Sequence, residues 1–337
     1  MRKVAFLVLP EFSSLGLAAA IEPLFVANWL SQRPLFDWKV ISVDGRPVHA
    51  SNGRITAVDG ALEVAAECKS VFVLASFDAQ RALGERHAVR WLKRIARFGV
   101  EIGGIENGSL VVAEAGLLNG HRVAVHWDNA IGFQEHYPKT EVVSQLFTRS
   151  RDRITCAGAA AILDMMVAWI DWHAGADRGS PDRAGADLAG EVAEHLLLGK
   201  PRSGETAQRL AIGGAQSSSD EAVLRARMLM AEHIDEPLSC AEIARRVGMS
   251  LRQIERRFKD ELRSSVLQQY RQIRMTKAHQ LLQQTDLSVT QIALSCGFAS
   301  PEYFCRLYRS MFGCSPSRDR TQSTTAPVLR RTGMRHV

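Results

Sequence analysis

The chain has 337 residues, 46% hydrophobic and 23% charged, which is the balance of an ordinary globular protein and argues against a fibrous or largely disordered one. Its length suits two domains better than one. The formal net charge is +6, and residues 220–320 hold 16 lysines and arginines against 12 aspartates and glutamates, so an anionic partner is indicated for the C-terminal third.

Several features argue against secretion, a membrane span and a metal centre. The apolar run at residues 4–9 is too short for a signal peptide and ends at Pro10. The best later apolar stretch, near residues 157–170, contains Asp164 and is not expected to cross a membrane. The cysteines form no C-x-x-C pair and have no histidine cluster near them, which predicts reduced thiols in a cytosolic protein without a metal or cofactor. They are Cys68, Cys156, Cys240, Cys296, Cys305 and Cys314.

The first 200 residues alternate short apolar runs with helical patterns. Strands are predicted at KVAFLVL (3–9), DWKVISV (37–43), SVFVLAS (70–76), residues 100–105, HRVAVHW (121–127) and residues 141–147. Helices are predicted over residues 17–30, with an interruption at Pro23, and over residues 91–98, 154–173 and 188–198. This alternation indicates an α/β sandwich with a mainly parallel sheet, whose ligands bind at the carboxyl ends of the strands.

The stretch VEIGGIENGSL predicts a strand that turns sharply into a short helix at Glu106. Many α/β enzymes carry a nucleophile at such a turn. A glutamate is a poor nucleophile, and a helix N-terminus is expected to keep it ionised. His126 could serve as a base, but no serine or cysteine is evident for it to activate. Cys156, the nearest candidate in the sequence, has small neighbours and is interpreted as core packing, so no catalytic residue is assigned.

A fixed carboxylate can instead bind a cation. Glu106 and Glu22, with the ring face of Trp127 or Trp38, would suit an amino or quaternary ammonium group. Asn107 and backbone N–H groups at the helix start could receive a carboxylate of the same ligand. The candidate ligand-binding residues are therefore Glu22, Glu106, Asn107, His126 and Trp127. Two alternatives stay open, namely that Glu106 only caps its own helix and that His126 is a satisfied core histidine.

The C-terminal third contains an internal repeat. Residues 238–260 and 287–310 share an Ile-Ala pair, a glycine turn and a serine N-cap, which together follow the helix-turn-helix plan. Ile254 and Phe258 of the first copy, like Phe304 and Tyr308 of the second, are predicted to point inward. Residues 265–284 between the copies predict a long helix. If both second helices enter successive major grooves, they should lie roughly 34 Å apart.

These motifs support a division of the chain into four segments. Residues 1–199 form the predicted α/β domain, and residues 200–220, rich in Gly, Ser and Gln, read as a linker. Residues 221–318 form the helical domain. Residues 319–337 lack an apolar period and are predicted to be a disordered basic tail.

The repeat and the late GFASPEYFCRLYRSMFGCSP segment resemble the AraC family of transcription regulators. The resemblance implies base-reading roles for Arg252, Gln253 and Arg256 in the first copy and for Glu302, Tyr303 and Arg306 in the second. Arginine can bond guanine and glutamine can bond adenine bidentately, while Glu302 could accept from cytosine or orient Arg306. Phosphate contacts are implied for Arg257 and Lys259. Ser300, the N-cap of the second recognition helix, completes the DNA-binding set.

The N-terminal part resembles the class I glutamine amidotransferase-like fold in its PfpI-like branch, through GGIENGSLVVAEAGLLNGHRVAVHW and ITCAGAAAILDMM. By alignment Glu106 occupies the position of the family enzymes' cysteine. PfpI-like domains fused to an AraC-type tail form the GlxA-like regulators. The segments AIEPLFVANWLSQRPLFDWKVIS and GRPVHASNG look like members that sense amino-acid and betaine-type nutrients.

The resulting hypothesis is a transcription regulator, more commonly an activator in this family, that works in the cytoplasm on the nucleoid. A small nitrogenous metabolite would bind the α/β domain and shift the arrangement of the two helix-turn-helix units on promoter DNA. RNA polymerase and a second copy of the chain are the expected protein partners, and no membrane is expected. The alternative is a hydrolase or glyoxalase-type enzyme with an accessory DNA-binding tail.

Overall fold

A computed structural model describes residues 1–75, 85–127, 129–174, 184–208, 220–285 and 287–325. The chain divides into two compact units, Met1–Gln208 and Arg209–Val337. Residues 200–208, which the sequence places in the linker, thus belong to the first unit. The rest of the predicted linker up to residue 219, and the predicted tail from residue 326, lie outside the described residues.

The first unit contains ten strands and six α-helices among its described residues. The strands are β1 Arg2–Val8, β2 Phe36–Ile41, β3 Val48–His49, β4 Ile55–Thr56, β5 Ser70–Leu74, β6 Glu101–Ile105, β7 Arg122–Ala124, β8 Glu141–Val143, β9 Phe147–Ser150 and β10 Arg153–Cys156. The helices are α1 Ser14–Ser31, α2 Arg86–Ala96, α3 Gly108–Glu114, α4 Ala130–His136, α5 Ala161–Ala174 and α6 Ala184–His195.

Six strands form the central sheet in the order β2-β1-β5-β6-β10-β9. All neighbours pair in parallel except β9, which is antiparallel to β10. Alternate residues of β1 enter two different cores, Phe6 on the face that α1, α5 and α6 cover and Leu7 on the face that α2 and α3 cover. The predicted α/β sandwich with a mainly parallel sheet is confirmed.

Three predicted elements differ from the structure. Residues 154–156 belong to strand β10, and the helix predicted over residues 154–173 begins at Ala161. Periodicity alone cannot separate a short, fully buried strand from a buried helix, which explains this error. The strand predicted at residues 121–127 ends at Ala124. Helix α1 continues through Pro23, which lies inside it.

Helix α1 is long and apolar enough to cross a membrane by length and composition. In the structure it is a core helix of the first unit, because Ala20 and Leu24 are fully buried against the sheet side that α5 and α6 also cover. Its length and apolar character are therefore explained by packing within the α/β unit.

A buried carboxylate, Glu101, lies at the amino end of β6, opposite the carboxyl edge of the sheet. It accepts hydrogen bonds from Ser70 Oγ at 2.9 Å, Trp169 Nε1 at 2.9 Å and Arg2 Nη2 at 3.3 Å, and His173 Nε2 lies 3.3 Å away. Burial alone would raise the pKa of Glu101, but the His173, Trp169 and Ser70 contacts outweigh it and lower the pKa to about 2.

We expect Glu101 to stabilise the fold above pH 4.5 and to lose that contribution as the pH falls towards 2. The folded-state pKa lies below the ordinary value of 4.5, so the unfolded chain binds the proton first. At about 1.4 kcal/mol per pH unit between the two values, the effect is on the order of 3 kcal/mol. Urea unfolding of wild type and Glu101→Gln between pH 2 and 7 measures it. Equal pH dependence of the two proteins would contradict this.

The second unit is helical. Its helices are α7 Glu221–Glu232, α8 Cys240–Arg246, α9 Leu251–Leu262, α10 Val266–Gln284, α11 Val289–Ser295, α12 Pro301–Phe312 and α13 Pro316–Thr325. The helix pairs α8/α9 and α11/α12 are the two predicted helix-turn-helix motifs, and α10 is the predicted connecting helix. Nineteen residues at 1.5 Å each make α10 about 28 Å long.

The disordered tail predicted from residue 319 is wrong for its first part, because α13 continues to Thr325. Asp319 is buried, and its Oδ2 accepts a hydrogen bond from Tyr308 Oη at 2.7 Å. His279 Nδ1 lies 3.1 Å from the same oxygen, and Arg320 Nη2 donates to Leu287 O at 2.6 Å. Polar contacts hold this helix in place, so the lack of an apolar period did not indicate disorder here.

Candidate functional site

The turn between β6 and α3 holds Glu106 in a strained backbone conformation. Its φ of +54° lies in the left-handed region, which costs a residue other than glycine roughly 1–2 kcal/mol. Gly108 lets the start of α3 approach β5, because a Cβ built there would lie 1.9 Å from Val73 O. The turn therefore projects the Glu106 side chain at the carboxyl edge of the sheet, the geometry that the sequence predicted.

The Glu106 carboxylate is partly enclosed by the loop that follows β10. Its Oε1 accepts a hydrogen bond from Ala159 N at 3.3 Å, and a Cβ built on Gly158 would lie 2.3 Å from its Cγ. Burial raises the pKa of Glu106, and the Ala159 bond offsets only part of that effect. The expectation that the helix N-terminus keeps Glu106 firmly ionised is thus opposed by desolvation, which a bound cation would counteract.

Asn107 connects this turn to the segment that carries His126 and Trp127. Asn107 Oδ1 accepts a hydrogen bond from Asn129 Nδ2 at 2.7 Å, and Asn129 N donates to His126 O at 2.8 Å. The rings of His126 and Trp127 are 5.1 Å apart. Since Asn107 is buried and bonded to Asn129, and α3 has only seven residues, the predicted carboxylate-binding role at this helix start gains no support.

Glu22 and Trp38 are less closely tied to this group. Glu22 is exposed in the middle of α1, and no hydrogen bond or ion pair joins it to another described residue. Trp38 lies on β2, three strands from β6, which corresponds to about 14 Å at 4.7–4.9 Å per strand. Of the two rings suggested by the sequence, Trp127 is the one placed near the Glu106 turn.

The environment of the thiol nearest this turn disfavours a nucleophilic role. Cys156 is fully buried at the end of β10, where its carbonyl accepts a hydrogen bond from Glu106 N at 3.1 Å. Burial raises the pKa of Cys156 to about 12, so the reactive thiolate is strongly disfavoured. Nor do three or more His, Cys, Asp or Glu side chains gather into a metal-binding group within the described ranges.

Sequence reasoning missed Asn129 and the loop at residues 157–159 at the site itself, and it missed Gln208, which holds the backbone of the turn that carries His126 and Trp127. Gly158 is the sequence signal that could have indicated a tight loop after β10. The structure shows this loop directly, with a left-handed φ of +51° at Ala159. Gln208 Oε1 accepts a hydrogen bond from Trp127 N at 2.9 Å. Nothing in the sequence could have located Gln208, because 81 residues separate it from Trp127.

The two recognition helices present the predicted DNA-reading faces to solvent. Ile254, Phe258, Phe304 and Tyr308 are fully buried, as predicted. The opposite faces expose Arg252, Gln253, Arg256 and Lys259 on α9, and Glu302, Tyr303 and Arg306 on α12. Among the described residues, no hydrogen bond or ion pair engages the side chains of Arg252, Arg256, Lys259 and Arg306, which leaves these cations available to a ligand.

Four members of the predicted DNA-binding set, Gln253, Ser300, Glu302 and Arg257, already make side-chain hydrogen bonds or ion pairs. Gln253 Oε1 accepts from Ser250 N at 2.9 Å in a capping box, so a bidentate adenine contact would have to open that cap. Ser300 Oγ accepts from Tyr303 N and donates to Glu302, which lowers the pKa of Glu302. Arg257 pairs with Asp220 at 2.5 Å, at the start of α7. Structural roles are therefore evident for Gln253, Ser300 and Arg257.

An open groove adjoins the first recognition helix. Besides side chains of α9, it is lined by Arg263, by Ser264 and Ser265 just before α10, and by Gln268 of α10. Arg263 adds a cation next to Lys259 and Arg256, and it was not among the predicted residues. The groove extends the positive surface beyond the recognition helix.

The two helix-turn-helix motifs are packed as one body. Arg274 on α10 donates to Cys296 O at 2.7 Å and Gly297 O at 2.5 Å, and its guanidinium lies 3.9 Å from the Phe298 ring centre. A Cβ built on Gly297 would lie 2.5 Å from Ile234 O. The second turn therefore rests on the segment before the first motif. These contacts argue against a large rearrangement within the pair.

An α/β unit followed by two helix-turn-helix motifs with exposed, basic recognition helices defines a DNA-binding transcription regulator. The model of the family described as "Helix-turn-helix domain" matches residues 243–322. The transcriptional regulator CdhR of Pseudomonas aeruginosa is 42% identical over 315 residues, which cover 94% of this chain and 90% of that protein. GlxA of Rhizobium meliloti is 30% identical, covering 96% and 97%.

The chain belongs to the AraC-family regulators of the CdhR, GbdR and GlxA type. GbdR of Pseudomonas aeruginosa is 33% identical over 97% of this chain and 87% of its own length. A crystal structure of an AraC family regulator from Pseudomonas putida aligns with a TM-score of 0.52 and 24% identity, covering 58% of this chain and 100% of that one. That likeness bears on the fold alone. The curated relatives named here are transcriptional regulators, which favours regulation over catalysis.

Proposed function

We propose that the protein is an effector-controlled regulator whose α/β unit binds a small amine or quaternary ammonium metabolite at Glu106. The observation that carries the proposal is a carboxylate held at the carboxyl edge of the sheet by a left-handed backbone, where one hydrogen bond from the described residues, that of Ala159 N, opposes its desolvation. Backbone strain of this kind, at a residue on the edge of a sheet, is common at functional sites.

The neighbouring rings support the cationic class of ligand. Trp127 and His126 are both half-buried beside the turn that carries Asn129. An aromatic face beside a carboxylate is the arrangement that binds ammonium groups, where a cation–π contact adds about 0.5–2 kcal/mol. Glu22 stays a proposed outer member of the site, to be tested by its own variant. The enzyme alternative gains no support from the described thiol beside the Glu106 turn, because burial raises the pKa of Cys156 and disfavours its thiolate.

The remaining parts of the proposal concern the output. The protein would bind promoter DNA in the cytoplasm, on the nucleoid, as a homodimer with two sets of half-sites, and would act on RNA polymerase, as an activator. Because the two helix-turn-helix motifs are packed together, we infer that the effector changes how the pair as a whole is positioned for DNA binding. It would not change the spacing within the pair.

We expect glycine betaine, carnitine or arginine to raise the melting temperature of the wild-type chain, and Glu106→Gln to abolish that rise. A ligand at 100 times its Kd stabilises the folded state by about 2.7 kcal/mol, which corresponds to several degrees for a domain of this size. Differential scanning fluorimetry with each amine measures the change, and Glu22→Gln shows whether the outer carboxylate contributes.

The matched control is Glu114→Gln. Glu114 ends the same helix α3 and is exposed, and its Oε2 accepts a hydrogen bond from Tyr137 Oη at 3.0 Å. This variant removes one negative charge close in sequence without touching the Glu106 turn, so its amine response should equal that of wild type. An unresponsive wild type, or equal loss in both variants, would refute the cation site.

A further inference from the structure

Residues 201–208, here called the strap, are bound to the surface of the α/β unit just before the chain enters the linker. At the start of the strap, Arg202 makes three hydrogen bonds to the buried Asp164: backbone N to Oδ1 at 2.8 Å, and Nε and Nη2 to Oδ2 at 2.9 and 2.6 Å. Farther on, Leu146 N donates to Thr206 O at 3.0 Å. The strap is thus anchored by charge at one end and by backbone pairing along its length.

Gln208, the last described residue before the linker, is the most fully bonded side chain of the strap. Its Nε2 donates to Val125 O and to Gln145 O, both at 2.8 Å. Its Oε1 accepts from Trp127 N at 2.9 Å, and its own backbone N donates to Ser144 O at 2.6 Å. Val125 and Trp127 flank His126, so Gln208 is clamped to the backbone that carries the rings of the candidate site.

A second set of hydrogen bonds reaches the strap from the opposite side of that site. Glu106 Oε1 accepts from Ala159 N, and Ala157 N of the same loop donates to Leu146 O at 2.9 Å. The Leu146 amide in turn donates to Thr206 O of the strap. The turn that carries the rings is therefore bonded directly to the strap, and the Glu106 turn is connected to it through the loop at residues 157–159 and Leu146.

We propose that the strap is the coupling element of this protein, and that Gln208 transmits changes at the Glu106 site to the start of the linker that leads to the DNA-binding unit. The inference rests on the proposed effector function and deepens it. A ligand that draws the turn at residues 125–127 towards Glu106 alters the geometry at Trp127 N. Because buried hydrogen bonds are lost or kept rather than stretched, the strap end has two distinct states, docked and released.

The first test replaces Gln208 by Leu, which keeps a comparable volume and removes all three side-chain hydrogen bonds. The effect of glycine betaine, carnitine and arginine on promoter affinity is measured by fluorescence anisotropy with the full chain, and amine binding by calorimetry. In wild type we expect the amine to change the DNA Kd by a factor within the roughly 5- to 150-fold range of allosteric coupling. In Gln208→Leu we expect that factor to fall to about one, with amine affinity retained.

Gln134→Leu is the matched control. Gln134 also bridges two backbone groups of the α/β unit, donating to Thr140 O and accepting from Val142 N, both at 3.1 Å, but it does not touch the strap. Its variant should keep both amine binding and the DNA response. Retention of the response in Gln208→Leu would overturn the coupling role, and so would a Gln208→Leu protein that no longer binds the amine.

A second test needs neither an effector nor a folded Gln208 variant. Glu106→Ala removes the first link in the path to Leu146, so amide hydrogen exchange at Leu146, Gln208 and Trp127 should become at least several-fold faster than in wild type, while Glu114→Ala leaves it unchanged. If no amine binds, the effector proposal fails, and this measurement still decides the coupling. Unchanged exchange in Glu106→Ala would overturn it.

Discussion

Replacing Arg256 and Arg306 together by alanine should abolish sequence-specific promoter binding and leave weak, salt-sensitive binding to any DNA. Both side chains are exposed on recognition helices, and neither makes a hydrogen bond or a close ion pair with another described residue. A good bidentate arginine–guanine pair contributes about 1–3 kcal/mol, so losing two weakens specific binding by about 2–6 kcal/mol. Anisotropy titrations of the promoter and of a scrambled duplex, over a range of salt concentrations, measure the specific and the nonspecific affinity.

The control for the arginine pair is Arg225→Ala. Arg225 is an exposed arginine that lies 3.8 Å from Glu221, and it belongs to α7 and to neither recognition helix. The Arg225→Ala variant should bind both the promoter and the scrambled duplex with the affinities of wild type. A double variant that still prefers the promoter, with only a uniform loss and a salt slope smaller by about one per arginine, would show that Arg256 and Arg306 contact phosphates and that other residues read the bases.

The two repeated glycines, Gly248 and Gly297, should respond very differently to alanine. Both have left-handed φ angles, +77° and +71°, so both variants carry the cost of about 1–2 kcal/mol for a side chain in that conformation. A Cβ at Gly248 meets nothing within 4 Å, whereas at Gly297 it meets Ile234 O at 2.5 Å and the Pro237 ring at 2.6 Å. Overpacking of this kind adds about 1–3 kcal/mol to the cost of Gly297→Ala.

The effect on DNA binding should also be larger for Gly297→Ala than for Gly248→Ala. Because Gly297 is the contact between the second turn and the segment before the first motif, its variant should loosen the paired arrangement and weaken binding to promoter DNA more than Gly248→Ala does. Urea unfolding and anisotropy on both variants provide the comparison. Equal losses of stability, or equal DNA affinities, would show that the contact at Ile234 does not hold the pair.

Because the two helix-turn-helix motifs are packed together, an effector is not expected to act by moving one motif relative to the other. The sequence suggested a ligand-driven shift between the two motifs, but Arg274 binds the second turn to the connecting helix and Gly297 packs on the first motif's lead-in segment. We therefore infer that the proposed effector acts on the helix-turn-helix pair as a whole, through the segment that joins the two units. The docking of Gln208 on the turn of Trp127 supplies a physical reason why that connection could respond to the α/β unit.

Much of the architecture could be predicted from the sequence because it depends on local patterns. The buried runs of β1 and β5, the glycine turns and the serine caps at Ser250 and Ser300 are signals carried by a few adjacent residues. The sequence likewise placed Glu106 on a sharp turn and Ile254 and Phe304 in a core, since a turn and a helical period need only short-range information.

The tertiary structure decided which distant residues share an environment. It removed Trp38 from the candidate site by placing β2 three strands away, and it raised the pKa of Glu106 by burial against the loop after β10. It also ordered α13 through Asp319 and docked Gln208 on Trp127. Hydrogen bonds between such distant residues and desolvation depend on how the chain closes on itself, so no local pattern in the sequence could encode them.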